Sequence, residues 1–118
     1  MKGILVVGHG SKVLEVNEKF KELIKILRES TGKDVRGANL TLADPRLEEV
    51  IRSMYSEGFR EITVIPYFLS NGSHVTEHIP RILKELESNL ENLSFLLESS
   101  LLLNSLVIKA IEEKINNN

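Results

Sequence analysis

The sequence predicts an α/β protein with a parallel, four-stranded sheet covered by helices on both faces. Three observations carry this. Short apolar runs recur along the 118 residues, at 3–8, 34–42, 61–67 and 93–98. Each is followed by a stretch whose apolar residues fall at helical spacing. Alternation of strand and helix, with no Pro/Gly/Ser-rich linker and no internal repeat, builds a parallel sheet from strand–helix crossovers. The length suits one domain, residues 1–118, with 116–118 expected to fray.

The first run, "GILVVG", is continuously apolar and ends in glycine, as a strand buried on both faces does. Val16, Phe20, Leu23, Ile24 and Leu27 then share one helical face, and Gly32 supplies the stop. "DVRGANLTL" reads as a weaker second strand. Asp44-Pro45 has the form of a helix start, with Asp44 as N-cap and Pro45 at the first helical position. Leu47, Val50, Ile51, Met54 and Tyr55 give that helix its buried stripe, and Gly58 ends it. "EITVIPY" is the third strand, with Pro66 at its C-terminal end because proline donates nothing to a ladder. After the loop "FLSNGSH", a third helix is expected over 77–88, with Pro80 in its first turn and Ile79, Ile82, Leu83 and Leu86 inward. "LSFLLE" is the fourth strand. Leu103, Leu106, Val107, Ala110 and Ile111 mark the last helix.

Composition removes several function classes. The chain is 42% hydrophobic and 27% charged, with a formal net charge of −2. No basic block invites nucleic acid. Cysteine is absent, which removes disulfides, thiolate metal sites and thiol nucleophiles together. No apolar run reaches the roughly 18 residues of a membrane span. The opening "MKGILVVGHGS" has no small-residue cleavage site after its apolar run, so it reads as a strand and not a leader. A cytoplasmic protein is expected.

The chemistry gathers where strands end. Ligand crevices in such sheets lie beyond the carboxyl ends of the strands. His9 stands directly past the first strand, between Gly8 and Gly10, and His74 lies past the third. First and third strands are commonly neighbours in this topology, so the two histidines are expected on one edge, facing one crevice. His78 follows His74 by one helical turn. Histidine in this pattern suits metal binding or proton transfer, since imidazole as a class titrates near pH 6.5. The loop after the third strand also carries Tyr67, Phe68 and Leu69, which either seal the core edge or form a platform for a flat, apolar ligand. Gly8, Gly10 and Ser11 match neither the dinucleotide nor the Walker A pattern. Ser11 fits better as a helix cap or turn residue. Lys12, Arg46 and Arg81 could neutralise acidic ligand groups, although solvated surface charge is the default for all three.

The two segments "LVVGHGS" (5–11) and "VIPYFLSNGSHVTEHIP" (64–80) together resemble the class II chelatases, specifically the short archaeal sirohydrochlorin chelatases of the small CbiX type. The resemblance runs through residues 1–87 and more loosely through the final strand and helix. It implies a flavodoxin-like, three-layer half-chelatase domain that pairs as a homodimer. It also implies insertion of cobalt or nickel into sirohydrochlorin, in the service of tetrapyrrole and cobalamin biosynthesis. His9 and His74 correspond to the family's two catalytic histidines. Metal contacts are expected from His9, His74 and His78, and substrate contacts from Gly10, Ser11, Tyr67, Phe68, Leu69 and Ser73. The metal is then a substrate, and no tightly bound cofactor is expected. Two positions depart from the family pattern. Many relatives carry aspartate where this chain has His78, and often glutamate near Thr41.

Metalation exchanges two pyrrole N–H protons for one metal ion, so a catalyst must hold metal, accept protons and position the ring. Two other readings compete with it. A carrier of metal or tetrapyrrole would use the same histidines without turnover. A histidine phosphatase is suggested by strand–"GHG", but such enzymes need arginine around the phosphate, and Gly8 stands where one is wanted.

Overall fold

The computed structural model describes residues 1–67, 73–99 and 104–117; within these, the side chains of 73–76 are not described. The elements alternate as expected: β1 (Lys2–Gly8), α1 (Leu14–Thr31), β2 (Val35–Asn39), α2 (Leu47–Ser56), β3 (Glu61–Tyr67), α3 (Ser73–Asn89), β4 (Ser94–Leu97) and α4 (Ser105–Asn116). The sheet is wholly parallel with strand order β2-β1-β3-β4. β1 and β3 are neighbours, in a register that sets Gly8 opposite Tyr67. All four strands therefore point their carboxyl ends at one edge.

Alternation along β1 divides the core. Leu5 and Val7 face α2 and α3, joining Ala38, Leu47, Ile51, Met54, Ile62, Val64, Ile79, Leu83 and Leu86 in the larger apolar cluster. Val6 faces α1, with Ile24, Val35, Ile4, Phe20, Leu27 and Ile65. Side chains such as Leu5, Ile51 and Met54 are wholly buried, each worth roughly 1.5–3 kcal/mol of transfer free energy. Pro66 stands as expected near the end of β3. Its missing donor falls beyond Val64↔Leu97, the last pairing with β4, so no ladder bond is lost there.

Four expectations are corrected. Asp44 is not an N-cap and Pro45 is not the first helical residue: the Asp44-Pro45 bond is cis, the cap position belongs to Arg46 with no side-chain bond, and α2 starts at Leu47. The loop is shaped instead by Asn39, whose backbone N–H donates to the Pro45 carbonyl at 2.8 Å and whose Nδ2 donates to the Asp44 carbonyl at 3.2 Å. The second strand stops at Asn39, because the chain turns there to cross the sheet edge. The third helix starts at Ser73, not 77, which puts Pro80 inside it. Ile79, Leu83 and Leu86 are nonetheless buried, so packing of that stripe outweighs the one backbone bond proline withholds. Val16 does not join the core stripe of α1: it is 51% exposed, because the first turn of α1 overhangs the edge where β1 has ended. The last helix forms as expected, as α4, with none of its residues buried. Leu103 lies outside the described residues.

Candidate functional site

The site grows from the turn after β1. Gly10 has φ +90°, a left-handed value, and a Cβ built there would stand 1.7 Å from the Thr41 carbonyl oxygen. Only glycine fits, on both counts. The close approach brings the β1 and β2 loops together. Leu40 N–H donates to the Gly8 carbonyl at 2.8 Å. The His9 carbonyl accepts twice from Thr41, from the backbone N–H at 3.0 Å and from Oγ1 at 3.2 Å. The histidine backbone is thus clamped from a loop that is remote in sequence, while its ring is exposed, with Nδ1 3.4 Å from the Gly10 carbonyl.

Ser11 closes the other side of the turn. It is a turn residue, not the helix cap, which is Val13. Its Oγ accepts from Val13 N–H at 3.0 Å. Its backbone exchanges two bonds with the Asn17 carboxamide: Ser11 N–H donates to Oδ1 at 3.1 Å, and Asn17 Nδ2 donates to the Ser11 carbonyl at 2.8 Å. Turn and helix are thereby locked without a side-chain cap.

A crevice of about 300 Å³ opens here, lined by His9, Gly10, Val16, Phe20, Asn39 and Tyr67 among others. Its apolar wall is aromatic: the Phe20 and Tyr67 rings stack at 6.1 Å with planes 27° apart, and Tyr67 is 46% exposed. The opposite wall is Asn39, the one buried polar side chain among the described residues, at 4% exposure.

Sequence reasoning and structure meet unevenly. His9, Gly10 and Tyr67 line one crevice, with Ser11 bracing its turn. The backbone of Ser73 and His74 lies in the first turn of α3, and positions 74 and 78 are one helical turn apart, with His78 half-buried. Phe68 and Leu69, and the side chains of Ser73 and His74, lie outside the described residues. Among the described residues, no three His, Asp or Glu side chains converge into a metal-holding group. Lys12, Arg46 and Arg81 are exposed. Four contributors went unnoticed in the sequence. Asn17 and Asn39 carried no spacing signal, Phe20 was read as core only, and Thr41 was noted only as a departure from a resemblance.

Comparisons with known proteins agree with this architecture. The CbiX family model matches residues 3–118. The chain is 37% identical over 82 residues to the sirohydrochlorin cobaltochelatase of Methanosarcina barkeri, covering 69% of this chain and 63% of that one. It is 28% identical over 114 residues to the chloroplastic sirohydrochlorin ferrochelatase of Arabidopsis thaliana, covering 96% of this chain and 51% of that one. The chain thus spans between half and two thirds of the length of these relatives. A solved CbiX protein from Marinobacter aquaeolei VT8 superposes with a TM-score of 0.88 at 25% identity, over 99% of this chain and 96% of its own. The sirohydrochlorin chelatase SirB of Bacillus subtilis subspecies spizizenii, solved with cobalt, shares the fold at a TM-score of 0.87 and 21% identity, over 98% of this chain and 50% of its own. Motifs, sheet order and a match over nearly the whole length together show that the chain belongs to the CbiX family.

Proposed function

We propose that this protein is a sirohydrochlorin chelatase that inserts a divalent metal, Co²⁺ or Ni²⁺, into the tetrapyrrole. The observation that carries the reading is the placement of His9. A glycine turn and a two-bond clamp hold its backbone at the mouth of a crevice, on the sheet edge where α3 begins and His74 stands in its first turn. The names of the Methanosarcina and Arabidopsis relatives supply the substrate class.

In this proposal the Phe20–Tyr67 wall takes the face of the macrocycle, as a stacked aromatic pair suits a flat ring system. His9 and His74 bind the incoming metal or take the two pyrrole protons, and His78 assists from the next turn of α3. Gly10, Ser11, Ser73, Phe68 and Leu69 complete the substrate contacts. Neutral imidazole is a good ligand for cobalt and nickel. The metal passes through as a substrate, so no resident cofactor enters the scheme.

The reading also includes pairing. About 300 Å³ lies at the lower limit for a drug-sized ligand, and sirohydrochlorin is larger than that. Two CbiX domains facing one another would enclose it, so a homodimer is the proposed working form. An absorbance assay with sirohydrochlorin and a panel of Co²⁺, Ni²⁺, Fe²⁺ and Zn²⁺ tests the activity. Many turnovers per chain are expected with Co²⁺ or Ni²⁺. A rate equal to the protein-free background overturns the proposal, and stoichiometric binding without turnover supports a carrier instead.

A further inference from the structure

Asn39 closes β2 and stands in register with Gly8, the last residue of β1. A Cβ built at Gly10 would lie 3.4 Å from the Asn39 Cβ, so this side chain is set against the turn that carries His9. It is 4% exposed. Burying a carboxamide is costly unless both of its ends find partners.

Only one end finds them. Nδ2 donates to the Asp44 carbonyl at 3.2 Å and to the Pro45 carbonyl at 3.4 Å. Two carbonyl oxygens can face only the NH₂ group, so the orientation of the carboxamide is fixed. No described residue donates to Oδ1, yet that atom is not sealed from solvent. Asp44 and Pro45 line a second groove, of about 330 Å³, that His9 and Gly10 do not border. Asn39 lines both hollows. With its nitrogen turned to the second groove, its oxygen is the end left for the crevice of His9. Neighbouring oxygens are already engaged. The Thr41 hydroxyl donates to the His9 carbonyl, and Asn17 Oδ1 accepts from Ser11 N–H.

We propose that Asn39 is a metal-holding residue: its Oδ1 accepts a hydrogen bond from a water bound to the incoming divalent ion, while His9 supplies a nitrogen ligand. The inference rests on the function proposed above and adds a residue to it. An unbonded acceptor calls for a donor. The carboxylates of a tetrapyrrole only accept, and this oxygen repels them. A divalent ion brings its donors with it, because its charge polarises the O–H bonds of its water ligands. Cobalt and nickel favour imidazole over amide oxygen as a direct ligand. Asn39 therefore keeps the ion near without competing for it against the ring nitrogens.

The probe is Co²⁺ alone, titrated into the full chain by calorimetry and visible absorption at about pH 8, where imidazole is neutral. Asn39→Leu should weaken Co²⁺ binding about three- to tenfold, as loss of one hydrogen bond does. Asn39→Asp keeps an oxygen and adds a charge, so it should strengthen binding at least about tenfold. Both variants lose the bonds to Asp44 and Pro45, and both should melt at lower temperature. A purely structural role would move the two affinities in the same direction, so opposite signs identify the ligand role. A second measurement needs no variant to fold. In the wild type, Co²⁺ should shift the side-chain amide proton resonances of Asn39 and leave those of Asn92 in place, since Asn92 precedes β4 at the opposite edge. Unshifted Asn39 resonances overturn the inference, as do two variants whose Co²⁺ affinities move together or not at all. Altered binding of metal-free sirohydrochlorin with Co²⁺ affinity unchanged also overturns it, and assigns Oδ1 to a pyrrole N–H instead. Turnover on the same samples separates these failures from failure of the proposed reaction: a chain that binds Co²⁺ in the expected pattern without turnover keeps this site and loses the chelatase reading.

Discussion

Replacing Gly10 by alanine tests whether the clamp on His9 governs the site. The new Cβ would stand 1.7 Å from the Thr41 carbonyl oxygen. An ordinary carbon–oxygen contact is about 3.3 Å, so the two loops must part by roughly 1.6 Å. That separation breaks the two bonds from Thr41 to the His9 carbonyl, and φ of +90° strains any L-residue. With about 1–2 kcal/mol for the backbone and about 0.5–1.5 kcal/mol per hydrogen bond, the expected loss is about 2–5 kcal/mol. For a chain of this length that lowers Tm by roughly 8–20 °C. A misplacement of about 1 Å at a reacting group can cost about 10²-fold in rate, so metal insertion should fall at least that far. Gly32→Ala is the matched control. Its φ is +68°, but no atom lies within 4 Å of the new Cβ. It should cost only the backbone strain, about 1 kcal/mol, and leave the rate alone. The measurements are thermal unfolding by circular dichroism and initial rates of sirohydrochlorin metalation. A Gly10→Ala protein as stable and as active as wild type, or two glycine variants that behave alike, would refute the reasoning.

His9→Ala and His74→Ala should each lower metal insertion by about 10²–10⁴-fold, the usual worth of a positioned acid–base group, with Tm unchanged; full turnover in both removes them from the site. His78→Ala should cost less than His74→Ala, and His78→Asp should keep substantial activity, since it restores the residue common in the resembled family. Rates for all three at a single pH decide this, and a folded but inactive His78→Asp protein contradicts it. Acid should destabilise the fold through one exposed cluster. Hydrogen bonds from Arg36 hold the Asp34 and Glu57 carboxyls below their ordinary range. Carboxylates with depressed folded pKa values stabilise at pH above their unfolded values and lose that contribution as pH falls through the folded ones. The loss is therefore expected below about pH 4, as a modest slope because both carboxylates are largely exposed. Thermal melts across that range should show the slope flattened in Arg36→Met, and an unaltered slope there would place the acid sensitivity elsewhere.

Strand–helix alternation, the edge that carries the site and the positions of His9 and Tyr67 were all readable from apolar runs and their punctuation, because those signals are local. Gly32 illustrates why: a helix stop needs only its own φ and a bond to Arg28 four residues back. What stayed hidden depends on partners far along the chain. Asp44-Pro45 has the residues of a helix start, yet Asn39 holds that segment as a loop. Pro80 argued for a helix beginning near it, but the helix begins at Ser73 and carries the proline inside it. Val16 and Phe20 share one face with Ile24, and periodicity cannot say that the sheet beneath them ends first. α4 shows the same limit from the other side. Its apolar stripe is plain in the sequence, whereas the surface that stripe covers is not encoded in its spacing.

The double bond from Thr41 to the His9 carbonyl bears on the cost of binding as well as on position. Loops that order themselves around a ligand surrender about 1–2 kcal/mol of backbone entropy per residue, and that sum is subtracted from affinity. Here the turns after β1 and β2 are ordered before any ligand arrives, because glycine at position 10 lets them touch and Asn39 anchors the far end. This wall of the crevice therefore charges nothing for its own organisation. It also offers a metal or a macrocycle little tolerance for misfit, because moving its backbone means breaking the bonds from Thr41 to the His9 carbonyl. Selectivity between ligands of slightly different size would then be expressed as strain against a fixed boundary, with the exposed Tyr67 ring on the opposite side as the part free to adjust.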